Sequence, residues 1–188
     1  MALHNSDELR AYLDVPDEGQ LPPELASRLV RGYRASASFV DAQVGRVMRA
    51  LEEHGMADDT VVVLWGDHGW HFNELGMWAK QTNFEQALRV PLVIRGGGVR
   101  SGEVDSFVEL VDIYPTLASL AGLEAPDGLD GRDLSGALRS RDWPMAEIAP
   151  RSQYPRGQVM GRSVRDEDGR YTEWERGGEL VAAELYEA

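Results

Sequence analysis

Apolar residues recur at three- and four-residue spacing from Glu24 to about His54, at Leu25, Leu29, Tyr33, Val40, Val44, Val47 and Leu51. That period predicts one long helix with a single apolar stripe. Pro23 suits its first turn and Gly55 its end. The pattern then changes. Asp58-Asp59-Thr60 lead into the unbroken run Val61-Val62-Val63-Leu64-Trp65, and a short run without alternation predicts a strand covered on both faces, the habit of parallel sheets. A short helix is expected around Asn83 to Leu88, before a second run, Val90-Pro91-Leu92-Val93-Ile94, that ends at Gly96-Gly97-Gly98. Phe107 to Leu110 predicts a short strand. Asp112 to Ala121 predicts a helix capped by the aspartate and stopped by Gly122. Met1 to Pro23 is acidic and broken by prolines, a lead-in with little regular structure expected, and Glu124 to Arg141 reads as loop.

Beyond Trp143 the texture is that of an antiparallel meander, with strands expected at Val159 to Val164, Arg170 to Trp174 and Glu184 to Tyr186, parted by Asp168-Gly169 and Gly177-Gly178. The expected fold class is therefore α/β: part of a doubly wound, mostly parallel sheet with helices on both faces, then a small antiparallel α+β extension. The boundary falls between residues 142 and 143.

Composition narrows the function. The 188 residues carry 19 Lys+Arg against 32 Asp+Glu, a net charge of −13, which argues against a nucleic-acid partner because phosphate neutralisation needs a basic face. No run approaches the length of a membrane span, and Met1 to Arg10 lacks a signal-peptide layout. The compartment stays open. With 0 cysteines there is no thiolate metal site and no cysteine nucleophile. Lys80 is the only lysine among the basic residues.

Ligands of open parallel sheets bind beyond the carboxyl ends of strands, and Gly66-Asp67-His68-Gly69 stands at such an end. Asp67 offers carboxylate oxygen and His68 imidazole nitrogen, so the pair suits a divalent cation where the glycines let the backbone bend. As an isolated pair it reads first as an aspartate cap beside a buried histidine in a βα turn, and only second as a metal site. Lys80 follows 80 − 67 = 13 residues after Asp67 on the loop leaving that strand end. Its ammonium is a compact cation suited to a tetrahedral anion or a leaving oxygen; the alternative is a solvated surface lysine.

These residues carry a resemblance. Asp67-His68-Gly69-Trp70, Glu74, Gly76, Trp78-Ala79-Lys80, Asn83-Phe84 and Val90-Pro91-Leu92 are similar to a conserved block of the sulfatase family, in the alkaline-phosphatase superfamily. The likeness extends upstream to Asp41-Ala42-Gln43-Val44-Gly45-Arg46 and downstream through Val108-Glu109-Leu110-Val111-Asp112. It resumes at Ser152-Gln153-Tyr154-Pro155-Arg156 and ends at Glu184-Leu185-Tyr186. The resemblance implies a sulfuric ester hydrolase in which Asp67 and His68 are two ligands of a divalent cation, calcium in this family. Lys80 would contact the sulfate group. Trp70 is a pocket wall or simple packing. Calcium prefers oxygen, and imidazole alone would suit zinc or manganese.

Two departures matter. Relatives commonly carry a Leu-Gly-Glu-His-Gly run where this chain reads Phe72-Asn73-Glu74-Leu75-Gly76. His71 is a conceivable replacement for the lost histidine and is otherwise expected to be an exposed loop residue. The family also has a Cys-x-Pro-x-Arg or Ser-x-Pro-x-Arg motif whose first residue becomes formylglycine, the nucleophile, and this sequence has neither motif. The chain is thus expected to be the C-terminal part of a sulfatase, with residues 1–142 belonging to its α/β domain and 143–188 to a small C-terminal subdomain. It would be inactive alone and could work with a second chain carrying the nucleophile.

The expected substrate is a sulfated sugar or other small sulfate ester. Arg151, Arg156, Arg162 and Arg165 could form a local basic rim, with Arg156 placed for a sugar carboxylate, or simply a solvated face. A charge of −13 would repel a polyanionic chain at long range. Two other readings are a phosphate or phosphonate ester hydrolase of the same superfamily and a non-catalytic remnant that binds a partner.

Overall fold

The computed structural model describes residues 8–140 and 148–187. The expected boundary at 142/143 lies outside the described residues. The chain divides into two compact units, one made of the segment up to Ala57 with Gly66–Pro91, the other of Asp58–Trp65 with the segment from Leu92 onward.

In the first unit the long helix forms as its period predicts, α1 at Pro23–Glu53, with proline in its first turn. Gly55, at φ +66°, ends it. Residues 8–22, before it, are more ordered than their prolines suggested. Glu8–Ala11 is a 3-10 turn, and Leu9 and Leu21 are buried with Trp78 in a small core that Leu25, Ala26, Leu29 and Val30 of α1 flank. Those two leucines supply the apolar area that orders an otherwise polar segment. A short hairpin follows, β2 (His71–Phe72) against β3 (Trp78–Ala79), with His71 opposite Ala79 and Phe72 opposite Trp78. Tyr33 of α1 meets Phe72 edge-on at 4.7 Å between ring centroids. The helix expected near residue 85 is α2, Glu85–Leu88.

In the second unit β1 (Val62–Trp65) and β4 (Leu92–Arg95) pair antiparallel, from Val62 opposite Arg95 to Trp65 opposite Leu92. The parallel neighbours expected of β1 are not among the described strands. An unbroken apolar run reports how a strand is covered, not which way its neighbour runs. Cover itself is partial, since Leu64 and Trp65 are 43% and 47% exposed. The strand expected at Phe107 to Leu110 does not form: the segment enters a 3-10 turn at Leu110–Asp112, followed by α3, Ile113–Leu120. Asp112 does not cap α3 with its side chain; its carboxylate is taken by Glu109 and Arg132. The segment read as loop contains α4, Ser135–Arg139.

The C-terminal meander holds and gains a strand. It is a four-stranded antiparallel sheet in the order β5 (Arg151–Arg156), β6 (Val159–Arg165), β7 (Gly169–Arg176), β8 (Glu179–Glu187). Its inner face centres on Trp174, whose indole nitrogen donates to Glu184 Oε2 at 2.9 Å. Thr172 and Ser163, also buried, share a hydrogen bond of 3.0 Å. No helix among the described residues is long and apolar enough to cross a membrane.

Candidate functional site

Asp67, His68, Trp70 and Lys80 all belong to the first unit. The backbone turns at Gly66, whose N–H donates to Pro91 O at 3.2 Å, and at Gly69, whose N–H donates to Ala87 O at 2.7 Å. Gly69 has a steric reason to be glycine, because a Cβ there would fall 2.0 Å from the carbonyl oxygen of Gln86. The turn is thereby pressed onto the chain around α2, which fixes where Asp67 and His68 project.

His68 Nδ1 lies 2.9 Å from Gly69 O. A carbonyl only accepts, so Nδ1 donates, and the neutral ring keeps its lone pair on Nε2. Asp67 Oδ1 accepts from His68 N–H at 3.0 Å, and Asp67 Oδ2 lies 3.6 Å from His68 Nε2. Metal bonds of about 2.1–2.5 Å meeting near a right angle span about 3.0–3.5 Å, close to that separation. The Asp67 side chain is 86% exposed and that of His68 36%, so both side chains reach solvent. The pair fits two positions of a cation site. Among the described residues no third His, Cys, Asp or Glu joins them.

Lys80 leaves β3 directly after Ala79, a buried residue held at φ +66°. A non-glycine residue there stores about 1–3 kcal/mol, and the hairpin of β2 and β3 holds it in place. Lys80 Nζ stands 5.8 Å from the centroid of the Trp70 ring, and the same ring lies 6.3 Å from that of His68. Trp70 is therefore shared by the candidate cation ligand and the candidate anion ligand. Tyr33 reaches it from α1, at 6.1 Å between centroids. The apolar period placed Tyr33 on the helix stripe but carried no signal that it meets Trp70. A second neighbour was equally hidden in the acidic lead-in: Glu8 Oε1 lies 3.3 Å from Lys80 Nζ.

His71 is not an exposed loop residue. It is fully buried on β2, with Nε2 2.8 Å from Thr82 Oγ1 and its ring edge-on to Phe84. It is a packed core histidine of the hairpin. The arginines do not form one rim either. In the register of β5 and β6, Arg156 pairs with Val159, while Arg151 and Gln153 pair with Val164 and Arg162. Side chains alternate along strands, so Arg151 and Arg162 share one face while Arg156 and Arg165 share the other. Arg162 is ion-paired with Glu175, and Arg165 lies over the Phe107 ring, 5.3 Å from its centroid. Arg156 belongs to the second unit.

The sulfatase family model matches residues 5–123. Human iduronate 2-sulfatase is 32% identical across 93% of this chain and 43% of its own length. An N-acetylglucosamine-6-O-sulfatase of Bacteroides thetaiotaomicron is 30% identical across 74% of this chain and 26% of its own. Among solved structures, a phosphonate monoester hydrolase from Silicibacter pomeroyi superposes with a TM-score of 0.80 at 27% identity, covering 93% of this chain and 37% of that one. The chain thus spans less than half the length of these relatives. The family match, running through the Asp67 turn and Lys80, and the similarity to human iduronate 2-sulfatase along nearly the whole chain agree: the chain belongs to the sulfatase family.

Proposed function

We propose that this chain supplies part of the active site of a metal-dependent sulfuric ester hydrolase acting on a sulfated sugar or another small sulfate ester. The observation that carries the reading is the Trp70 ring flanked by His68 and Lys80. One cation ligand and the one lysine meet at a single wall, in a chain whose family match spans them. Asp67 Oδ2 and His68 Nε2 would hold the cation, calcium by likeness to the family, and a bound cation polarises the oxygens of an ester and offsets their charge. Lys80 would hold the sulfate through its ammonium and share the charge that develops on the oxygens in the transition state. Trp70 keeps water from one side of that ammonium and strengthens its pull on an anion. The nucleophile, formylglycine by likeness, is assigned to a segment not in this sequence, on the same or a second chain, since no Cys is present and no Ser-x-Pro-x-Arg motif occurs.

Two measurements test this on the chain itself. Titration with calcium is expected to shift the His68 ring resonances, and Asp67→Asn or His68→Ala is expected to weaken that response at least tenfold. A response unchanged by either substitution would return the pair to a turn cap. Purified alone, the chain is expected to turn over neither an aryl sulfate nor an aryl phosphonate. Turnover that survives purification would overturn the assignment of the nucleophile. The superposition on a phosphonate monoester hydrolase at a TM-score of 0.80 supports a second reading, a phosphonate or phosphate ester substrate. The ratio of kcat/KM for matched aryl sulfate and aryl phosphonate, measured with the nucleophile supplied, decides between them.

A further inference from the structure

The lead-in places a carboxylate against the lysine assigned to sulfate. Glu8 Oε1 stands 3.3 Å from Lys80 Nζ, and the Glu8 side chain is 17% exposed against 36% for Lys80. The neighbours of Glu8 hold it there. Leu9, next in the chain, packs with Leu21 and Trp78, and Trp78 lies two residues before Lys80. Arg10 donates from Nη1 to Pro16 O at 2.7 Å and from Nη2 to Gly19 O at 2.5 Å, which closes the lead-in on itself. With Leu9 anchored inside and Arg10 tied behind, the 3-10 turn aims Glu8 at the loop after β3. A carboxylate and a sulfate group offer an ammonium the same kind of partner, an anionic oxygen at hydrogen-bond distance. Two such anions at one Nζ repel each other.

We propose that Glu8 is an internal anion at Lys80, occupying the ammonium that a sulfate group would otherwise take. An incoming sulfate must displace it, or share Nζ against its repulsion, so Glu8 sets the anion affinity of the site. This rests on the reading of Lys80 as the sulfate-binding residue. It also gives the 3-10 turn at Glu8–Ala11 a role at the site that its sequence did not disclose.

The test uses the full chain and inorganic sulfate. Because Lys80 is the only lysine, labelling lysine with 15N yields one side-chain ammonium signal, followed together with the backbone amides. Sulfate is titrated at constant ionic strength, balanced with chloride, into the wild type, Glu8→Gln, Glu8→Asp and Lys80→Gln. Glu8→Gln is expected to bind sulfate about two- to fivefold more tightly, the range set by a partly exposed ion pair. Glu8→Asp, whose reach is one methylene shorter, is expected to fall between Gln and wild type. Lys80→Gln is expected to lose the response. If Glu8→Gln binds sulfate no better than wild type while Lys80→Gln still loses binding, the role of Glu8 is overturned and that of Lys80 stands. If Lys80→Gln binds like the wild type, the reading of Lys80 fails and the role of Glu8 with it.

Discussion

Truncating Lys80 to alanine is expected to lower turnover of a sulfate ester by about two to three orders of magnitude, the cost of removing one preorganised charge donor from a transition state. The measurement needs an enzyme completed with the nucleophile, for instance a chimaera joining the N-terminal part of a sulfatase relative to this chain. The kinetic parameter that changes is informative. A lysine that only gathers substrate raises KM at constant kcat, whereas one that meets charge developing in the transition state lowers kcat and kcat/KM together. The second pattern is expected if Lys80 holds the sulfate as proposed, because Nζ stands beside the Trp70 ring, and a charge partly screened from water acts more strongly on charge that grows next to it. Lys80→Arg is not expected to rescue the rate, since a planar guanidinium cannot take the place of a compact ammonium without moving against the Trp70 ring. Stability serves as the control. Lys80 is partly exposed and ion-paired with Glu8 at 3.3 Å, so the truncation is expected to cost less than about 1 kcal/mol of folding stability. A near-normal rate in a folded variant would make Lys80 an ordinary surface residue.

Where one side-chain period governs an element, the sequence disclosed it. The stripe from Leu25 to Leu51 predicts α1 nearly to the residue, and the turn glycines at 169 and 177 mark the ends of β7. β5 escaped because Pro155 interrupts it and proline cannot donate to a ladder. The sheet resolves the conflict by placing β5 at its edge, where an unpaired side is available. α4 escaped because Gly136 sits inside a five-residue helix, where one turn carries no period to detect. The direction of β4 beside β1 is likewise absent from an apolar run, because both directions bury it equally well.

The candidate site was legible as chemistry and illegible as surroundings. Asp67, His68 and Lys80 declared themselves by residue type, by a shared strand end and by the rarity of lysine. Tyr33 and Glu8 come from segments more than 30 residues away in the chain from Trp70 and Lys80, and only tertiary packing brings them in. His71 shows the converse: its place in a polar loop suggested exposure, yet pairing with Ala79 turns it inward toward Thr82. The arginine cluster failed for a simpler reason, that residues close in number alternate between the two faces of a strand.

Asp112→Ala is expected to destabilise the second unit by about 2–4 kcal/mol, lowering the melting temperature by about 5–15 °C for a chain of this size. The Asp112 carboxylate is almost fully buried. It accepts from Arg132 Nη2 at 2.7 Å, from the Arg132 backbone N–H at 2.7 Å and from the Glu109 backbone N–H at 3.0 Å. Removing it leaves two backbone donors and a guanidinium without their acceptor. The loop it holds has no slack, because at Gly131 a Cβ would lie 1.9 Å from Val111 O. The same contacts fix the pH dependence. Burial pushes the Asp112 carboxyl up, but the hydrogen bonds from Arg132 and Glu109 and the charge of Arg132 outweigh it and hold the carboxyl below its ordinary value. A carboxyl depressed in the folded state stabilises fully above its unfolded value of about 3.9, and that contribution is lost as pH falls through the lower, folded value. Asp112→Asn, which keeps the shape and removes the charge, is therefore expected to be less stable than wild type at neutral pH and to approach it as the pH drops below about 4. Parallel acid limbs for the two proteins would show that the charge contributes nothing. Equal melting temperatures for Asp112→Ala and wild type would show that the Val108–Asp112 block is not the fastener of the Arg132 loop. Because this anchor lies in the second unit and the Asp67 turn in the first, calcium binding measured in Asp112→Asn at neutral pH, below its melting temperature, separates loss of fold from loss of site.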